Sequence, residues 1–187
     1  MKAALQARDS YATRLEEYLS TRRQPPADAA AKTPASKDDE KSKIEILKDV
    51  LARLPEQSIP ELQLTKEADW YAAVEGELES TEDYRRALAR LRAAGESRFA
   101  SLAQPALKAY LSANNGVFPN PPSLLGAHFT DPASAAILQR YKTVPADEVK
   151  NVRVGGDWAI TQINRIDSEF DSYSVIGPRG HGAFTKR

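Results

Sequence analysis

The stretch that decides the fold runs from Ser80 to Gly116 and reads STEDYRRALARLRAAGESRFASLAQPALKAYLSANNG. Ser80 or Thr81 can cap a helix, and the two acids that follow complement the positive end of its dipole. Apolar side chains then recur every three or four residues, so the pattern predicts one long amphipathic helix. Its apolar face consists of Tyr84, Leu88, Leu91, Phe99, Leu102, Ala106, Tyr110 and Ala113.

Two features inside this stretch modify the helix. Gly95 fills the gap in the apolar face before Phe99. Pro105 lacks a backbone donor and clashes with the preceding turn, so we expect it to kink the helix or split it. Asn115 and Gly116 tolerate the left-handed conformation, and we expect them to end it.

After Gly116 the chain breaks into short segments. Prolines cluster in residues 117–133, which predicts an ordered loop, and residues 183–187 are predicted to form a tail. Three strands are predicted, at residues 139–144, 157–164 and 173–176. The fold class is therefore α+β, with a long Pro-kinked helix packed on a small antiparallel three-stranded sheet. The strands are expected to bury one face on Phe99, Leu102 and Tyr110.

Upstream, composition marks the domain boundaries. Residues 1–22 contain neither Gly nor Pro and are predicted to form an amphipathic, coiled-coil-like helix. Residues 23–42 have no aromatic or large aliphatic side chain, which predicts a flexible linker. An α+β domain follows at residues 43–182, with a helical part at 43–98 and the sheet-bearing part at 99–182. Its first helix is predicted to start after a Ser42 cap.

The N-terminal segment carries a narrow apolar stripe that suits a coiled coil or a partner helix. A frayed, partly helical tail is the alternative, because short isolated helices are marginal in water. The residues of the stripe that we single out as interaction candidates are Leu5, Tyr11, Leu15 and Tyr18.

Composition removes several function classes. The 26 basic and 26 acidic residues give zero net charge, which is unlike a general nucleic-acid binder. The absence of cysteine excludes disulfides, thiolate metal sites and thiol nucleophiles. His128 and His181 are the two histidines, and neither belongs to a nucleophile motif. We therefore predict no catalytic residue, no cofactor, no metal and no small-molecule substrate.

Charge is nonetheless unevenly distributed. Acids dominate from Pro55 to Asp83, and bases dominate from Tyr84 to Tyr110. A basic helix face for phosphate or an acidic partner is one interpretation, with Arg85, Arg86 and Arg90 as its candidates. The preferred interpretation is that neighbouring helices of opposite sign neutralise each other.

Acidic side chains near the predicted strand ends could supply oxygen ligands to calcium. The spacing from Asp167 through Glu169 to Asp171 does not match an EF-hand loop, so a solvated turn is preferred. The same interpretation applies to Asp157, which also lies near a predicted strand end. Paired carboxylates for acid–base catalysis form a minor hydrolase hypothesis, because no spacing singles out a pair.

The sequence around the helix end resembles one known family. The motifs ALKAY (106–110), NNGVFP (114–119) and LL (124–125), followed by FDSYSVIGPRG (170–180), are similar to the globular domain of type II secretion pseudopilins and type IV pilin-like proteins. The resemblance covers about residues 102–182. It implies a long helix, a loop and a small antiparallel sheet that covers the helix, together with the bacterial cell envelope and no catalytic residue.

The chain departs from that family in two places. The leader and apolar assembly helix of pseudopilins are missing from the sequence, and Pro178 and Arg179 stand where the family often has calcium-binding aspartates. Polymerisation and calcium binding are therefore not carried over. Residues that we expect to be structural are Pro105, Tyr110, Asn115, Gly116, Phe118, Pro119, Trp158, Tyr173 and Gly177.

The preferred function is a non-catalytic protein-interaction or structural module at the cell envelope, which binds a protein partner or a second copy through its helix or a sheet edge. An anchor encoded upstream would favour a periplasmic location; otherwise we expect the cytoplasm. The alternative is a cytoplasmic regulator whose helical part binds a transcription factor or nucleic acid.

Overall fold

The computed structural model of this chain describes residues 13–21, 37–149 and 151–184. Residues 13–21 are helical. The elements that follow are α1 (Lys37–Arg53), α2 (Glu67–Ala73), α3 (Thr81–Ala113), α4 (Pro132–Ile137), β1 (Tyr141–Pro145), β2 (Trp158–Gln162), β3 (Tyr173–Ile176) and β4 (His181–Phe184). Short 3-10 helices lie at Pro55–Gln57, Pro60–Leu64, Pro122–His128, Leu138–Arg140 and Ala146–Glu148.

Helix α3 begins and ends where the sequence predicts. The Ser80 hydroxyl accepts from the Asp83 N–H, and the Asp83 carboxylate accepts from the Ser80 N–H at 2.9 Å. At the other end Asn115 and Gly116 adopt positive φ values of 53° and 79°. Pro105 lies inside the helix without splitting it, on the exposed side, where water can satisfy the carbonyl that the missing donor leaves free.

The sheet has four antiparallel strands in the order β1-β2-β3-β4, so the α+β class is confirmed and the three-strand prediction is wrong. The additional strand, β4, pairs with β3 from Tyr173↔Phe184 to Ile176↔His181. The Gly177 N–H donates to the Gly180 carbonyl at 2.8 Å and closes the turn between them. Two of the four β4 residues are Gly and Ala, which have low strand propensity. The strand therefore forms because it pairs with β3, not because of its own sequence.

One face of the sheet packs on the C-terminal half of α3. Phe99, Leu107 and Ile160 are fully buried in this core, and the Phe99 ring lies 5.0 Å from that of Tyr141. Leu102, which the sequence predicts to face the strands, is exposed instead. Successive residues of a helix are rotated by about 100°, so Leu102 points away from the side on which Ala103 is buried. Its side chain is 48% exposed. Trp158, at the start of β2, is 44% exposed.

The opposite face of the sheet is covered by the chain between β1 and β2. Val149 and Val154 from this connection pack with Val175 and Phe184. The Arg179 N–H donates to the Val154 carbonyl at 3.1 Å. A Cβ at Gly177 would lie 2.4 Å from that carbonyl oxygen, so this position requires glycine, in keeping with its structural assignment.

Other residues expected to be structural lie near the helix exit. Pro119 is buried, and its carbonyl accepts a hydrogen bond from the Thr143 hydroxyl at 2.6 Å. Phe118 and Tyr110 are partly buried against the Phe99 core. Tyr173 stacks on the Phe184 ring at 5.3 Å, on the outer face of the sheet. Its strand β3 lies between β2 and β4, so it is not a sheet edge.

A second core joins the N-terminal elements to the start of α3. Leu15 and Leu47 are fully buried there beside Val74 and Leu88. The described helical segment 13–21 therefore packs on its own chain. Helix α1 begins at Lys37, six residues before the predicted start at 43, so residues 37–42 of the predicted linker are helical. The acids in its first turn favour this earlier start.

Candidate functional site

Charged side chains line one buried face of α3. Arg85, Arg92 and Glu96 are spaced by seven and four residues, which places them on the same side of the helix. The exposed fractions of their side chains are 11%, 2% and 12%. Because an unpaired buried charge is costly, each of them is expected to have a partner from another element.

Arg92 binds Asp171 in the loop between β2 and β3. Its Nη2 lies 2.7 Å from Asp171 Oδ1, and its Nε lies 3.0 Å and 3.1 Å from the two carboxylate oxygens. Its Nη1 donates to the Gln57 carbonyl at 3.4 Å. The Asp171 carboxylate also accepts from the Asp167 N–H at 2.8 Å. One guanidinium thus joins α3, the loop and the Pro55–Gln57 helix.

Arg85 binds the same loop two turns earlier on the helix. Its Nε and Nη2 donate to the two Asp167 oxygens at 2.8 Å and 3.0 Å, and Nη2 also reaches Glu169 at 3.0 Å. The guanidinium lies 4.7 Å from the centre of the Phe170 ring. Burial alone would raise the pKa of Asp167, but Arg85 and the backbone N–H groups of Glu169 and Phe170 lower it below its ordinary value.

We call Arg85, Arg92, Asp167 and Asp171 the arginine anchor. These ion pairs contradict both sequence interpretations of the two aspartates. Asp167 and Asp171 lie neither in a solvated turn nor around an open cation site. Within the described ranges, no group of three or more histidine and carboxylate side chains is placed to hold a metal ion. Asp157 is exposed, and its carbonyl accepts from the Ala146 N–H.

A second group, the Glu61 cluster, consists of Glu61, Arg140, Tyr141, Glu96 and Gln162. Glu61 is fully buried, and its carboxylate accepts from Arg140 Nη1 and, at 2.9 Å, from the Tyr141 hydroxyl. Arg140 Nη2 lies 4.0 Å from Glu96 Oε1. Gln162 hydrogen-bonds Glu96, while its Oε1 accepts from the Ser174 N–H.

The cluster forms where α3 approaches the Pro60–Leu64 helix most closely. A Cβ at Gly95 would lie 2.7 Å from the Glu61 carbonyl oxygen, so glycine is needed for this contact. Burial and the Glu61 charge raise the pKa of Glu96 to about 7, against the opposing effects of Gln162 and Arg140. Burial, then the charges of Glu61 and Glu96, also raise the pKa of Tyr141.

This arrangement bears on the hydrolase hypothesis. The paired carboxylates Glu61 and Glu96 exist, and one has a raised pKa, as a general acid requires. However, the Glu61 side chain has no accessible surface, and its oxygens are taken by Arg140 and Tyr141. In this conformation an external substrate cannot contact that carboxylate, so the geometry supports a structural pair.

A surface groove lies between α1 and α2, with a volume of about 380 Å³. Trp70 and Tyr71 form its aromatic wall opposite Ile44, and Lys48 lies 5.9 Å from the centre of the Trp70 ring. The polar residues Lys41, Glu45 and Glu67 are exposed. Because these charges are solvated and of both signs, they do not select a ligand class.

The candidate interaction residues from the N-terminal stripe divide into two groups. Leu15 is buried in its own chain's core, so it is not presented to a partner. Tyr18 is partly buried, and its hydroxyl donates to Asp49. Leu5 and Tyr11 lie outside the described residues.

The candidate arginines are all engaged within the chain. Arg85 belongs to the arginine anchor, and Arg86 pairs with Glu82 on its own helix. Arg90 donates to the Glu75 carbonyl at 3.0 Å. The nucleic-acid alternative therefore requires these guanidinium groups to leave existing partners. The expected neutralisation between helices is seen elsewhere, where Arg98 of α3 binds Asp69 of α2 at 2.7 Å and 2.9 Å.

Sequence reasoning did not single out Glu61, Arg92, Glu96 or Arg140. A signal was present in α3, because Arg92 and Glu96 lie between Leu88 and Phe99 at the spacing of the apolar face. A charged residue inside an apolar stripe indicates a buried partner. The partners themselves come from positions about 80 residues away, which no local pattern specifies.

Large apolar side chains remain exposed around this framework. They are Leu102, Val117, Leu124, Trp158, Ile163 and Ile166. Ile163 and Ile166, 45% and 36% exposed, lie in the β2–β3 loop that the arginine anchor holds. The Ile163 N–H donates to the Arg140 carbonyl at 2.8 Å, which also ties this end of the loop to the Glu61 cluster.

Comparison with known proteins adds no relative. No family model, curated protein or solved structure matches this chain. In the part of the chain that the structure describes, no helix has both the length and the apolar character needed to cross a bilayer. Function must therefore be inferred from the fold and from the contacts described above.

Proposed function

We propose that this chain is a non-catalytic protein-interaction module with a pilin-like layout, associated with the bacterial cell envelope. The envelope assignment is supported by the motifs at the helix end and by the chain order of long helix, loop and antiparallel sheet. The sheet packs on the C-terminal half of that helix, around Phe99 and Leu107. This layout is what the resemblance to pseudopilins implies.

The anchored β2–β3 loop carries the interaction part of the proposal. The partly buried Arg85 and the buried Arg92 hold Asp167 and Asp171, while Ile163 and Ile166 expose their apolar side chains in the same loop. A loop that is already ordered loses little conformational entropy when a partner binds. Exposed isoleucines on such a loop suit a partner protein with an apolar recess.

Cross-linking in cells tests the interaction. A photoreactive phenylalanine derivative at position 163 is expected to cross-link the chain to an envelope protein, and the same group at position 102 is not. Leu102 is the matched control because it is 48% exposed and lies on α3, away from the loop. Equal cross-linking from both positions would contradict the proposal.

Affinity for the cross-linked partner provides the second measurement. We expect the double substitution Ile163→Ala and Ile166→Ala to weaken binding by about tenfold or more, since two apolar contacts are removed. Leu102→Ala should leave the affinity unchanged. Both variants remove exposed side chains, so both should fold normally.

Cell fractionation tests the location separately. The full-length gene product is expected in the envelope fraction. Recovery in the cytoplasm together with nucleic acid would instead support the regulatory alternative. In that case binding should fall steeply with salt and should be lost in an Arg86→Ala, Arg90→Ala double variant, which leaves the arginine anchor intact.

A further inference from the structure

The Glu61 cluster contains one more acid than base. Glu61 takes the Arg140 guanidinium and the Tyr141 hydroxyl. Glu96 is left with the Gln162 amide and with Arg140 at 4.0 Å. The charged or titratable groups that face Glu96 are Glu61 from the Pro60–Leu64 helix, Arg140 from the Leu138–Arg140 helix, Tyr141 from β1 and Asp171 from the β2–β3 loop.

The neighbouring arginine on the same helix does not correct this imbalance. Arg92, one turn before Glu96, is already bound to both oxygens of Asp171. An ionised Glu96 would therefore be a second carboxylate sharing Arg140 with Glu61. Since burial penalises an unbalanced charge and like charges repel, the neutral acid is favoured at this position.

The position of Glu96 couples its charge to the packing of three elements. Gly95 beside it holds α3 against the Glu61 backbone. Arg140 and Tyr141 connect Glu61 to the first strand, and Gln162 connects Glu96 to the second. Repulsion between Glu61 and Glu96 would thus act where α3, the Pro60–Leu64 helix and the sheet meet.

We propose that the Glu61 cluster takes up one proton on Glu96 when the chain folds, and that releasing this proton weakens the junction between α3, the Pro60–Leu64 helix and the sheet. The fold thereby contains a proton-sensitive joint. This device does not depend on the proposed function, because it rests on the internal charge balance of the cluster.

The direction of the effect follows from linkage. The pKa of Glu96 is about 7 in the folded chain and 4.5 for an ordinary glutamate. Between these pH values the folded state binds more protons than the unfolded state, so stability falls as pH rises. The contribution of Glu96 is fully present below about pH 4.5 and is lost as pH rises through about 7.

Urea unfolding at pH 5 and pH 8 measures this directly. From pH 5 to pH 8, the unfolding constant of the wild-type chain should rise on the order of 50-fold more than the unfolding constant of Glu96→Gln. Glu148→Gln, at an exposed glutamate, is the matched control and should keep the wild-type dependence. Both histidines remain in every variant, so their titration cancels in the comparison. An unchanged pH dependence in Glu96→Gln would overturn the proposal.

A second measurement needs no variant to fold. The side-chain carboxyl carbon of Glu96, followed by NMR in the wild-type chain, should titrate with a midpoint near 7. Backbone amides of Arg140 and Tyr141 should shift with the same midpoint. A carboxyl midpoint below 5.5 would overturn the proposal, and one above 5.5 would support it. In a separate variant, Glu61→Gln should lower the midpoint, because it removes the negative charge that raises the pKa of Glu96 most.

Discussion

The two charged groups on α3 use similar residues to different effect. In the arginine anchor, Arg85 and Arg92 each have an aspartate of their own, which each contacts through both Nε and Nη2. In the Glu61 cluster, two glutamates share Arg140. An acid with a base of its own is held in its charged form, whereas a second acid that must share one base is disfavoured as an anion. Charge balance, and not burial alone, thus separates a fixed anchor from a proton-sensitive joint.

The largest effect is expected from Arg92→Ala. It leaves the Asp171 carboxylate buried without its main partner, and breaking a buried pair in this way costs about 3–5 kcal/mol. Urea denaturation at pH 7 measures the loss. An effect below about 1 kcal/mol would show that the anchor is not an integral part of the fold.

Asp167→Asn should have a smaller, pH-dependent effect of about 2 kcal/mol, because it removes the charge that Arg85 binds. The pKa of Asp167 is lowered in the folded chain, so its stabilisation is present above its unfolded pKa of 3.8 and lost as pH falls through the folded-state pKa. Unfolding at pH 7 and near pH 3 should show the difference shrinking. A difference that persists at low pH would contradict this assignment.

Gly95→Ala addresses the Glu61 cluster through its packing. The new Cβ would lie 2.7 Å from the Glu61 carbonyl oxygen, and overpacking of this kind costs about 1–3 kcal/mol. Gly126→Ala is the matched control, since its Cβ would meet its nearest neighbour, Ala135, at 4.0 Å. Thermal unfolding of both variants measures the contrast. Equal melting temperatures would mean that α3 is not held tightly against Glu61.

The smallest effect is expected from Ser80→Ala, which removes the N-cap of α3. Loss of such a cap costs about 1 kcal/mol. The effect should be independent of pH between 6 and 8, because the substitution changes neither the arginine anchor nor the Glu61 cluster. A pH-dependent loss would indicate that the helix start is coupled to the Glu61 cluster.

Local patterns predicted α3 well, and pairing between segments accounts for what was missed. The Ser80 cap and the Asn115–Gly116 end are local signals, so both helix bounds were correct. Strand β4 contains Gly182 and Ala183, which have low strand propensity, so it depends on pairing with β3, whose Val175 lies 7 residues from its partner Gly182 along the chain. The charge pairs on α3 were missed for a different reason, because their partners are distant along the chain: Asp171 lies 79 residues from Arg92.

Periodicity also misplaced individual side chains. Leu102 fits a spacing of three from Phe99, yet Ala103 occupies the buried position and Leu102 is exposed. Trp158 is expected to be structural, yet it lies at a strand end and is 44% exposed. Aromatic or aliphatic character does not determine burial where an element ends or turns away from its neighbour.

Hydrogen exchange of the β2–β3 loop tests most directly whether α3 anchors this loop. The Asp167 N–H donates to the Asp171 carboxylate at 2.8 Å, and the Asp171 N–H donates to the Asp167 carbonyl at 2.9 Å. We predict that both amides exchange slowly, at rates close to those of the buried part of α3, and that Arg92→Ala accelerates them. Exchange at the rate of an unstructured peptide in the wild-type chain would contradict the anchored loop and the interaction surface built on it.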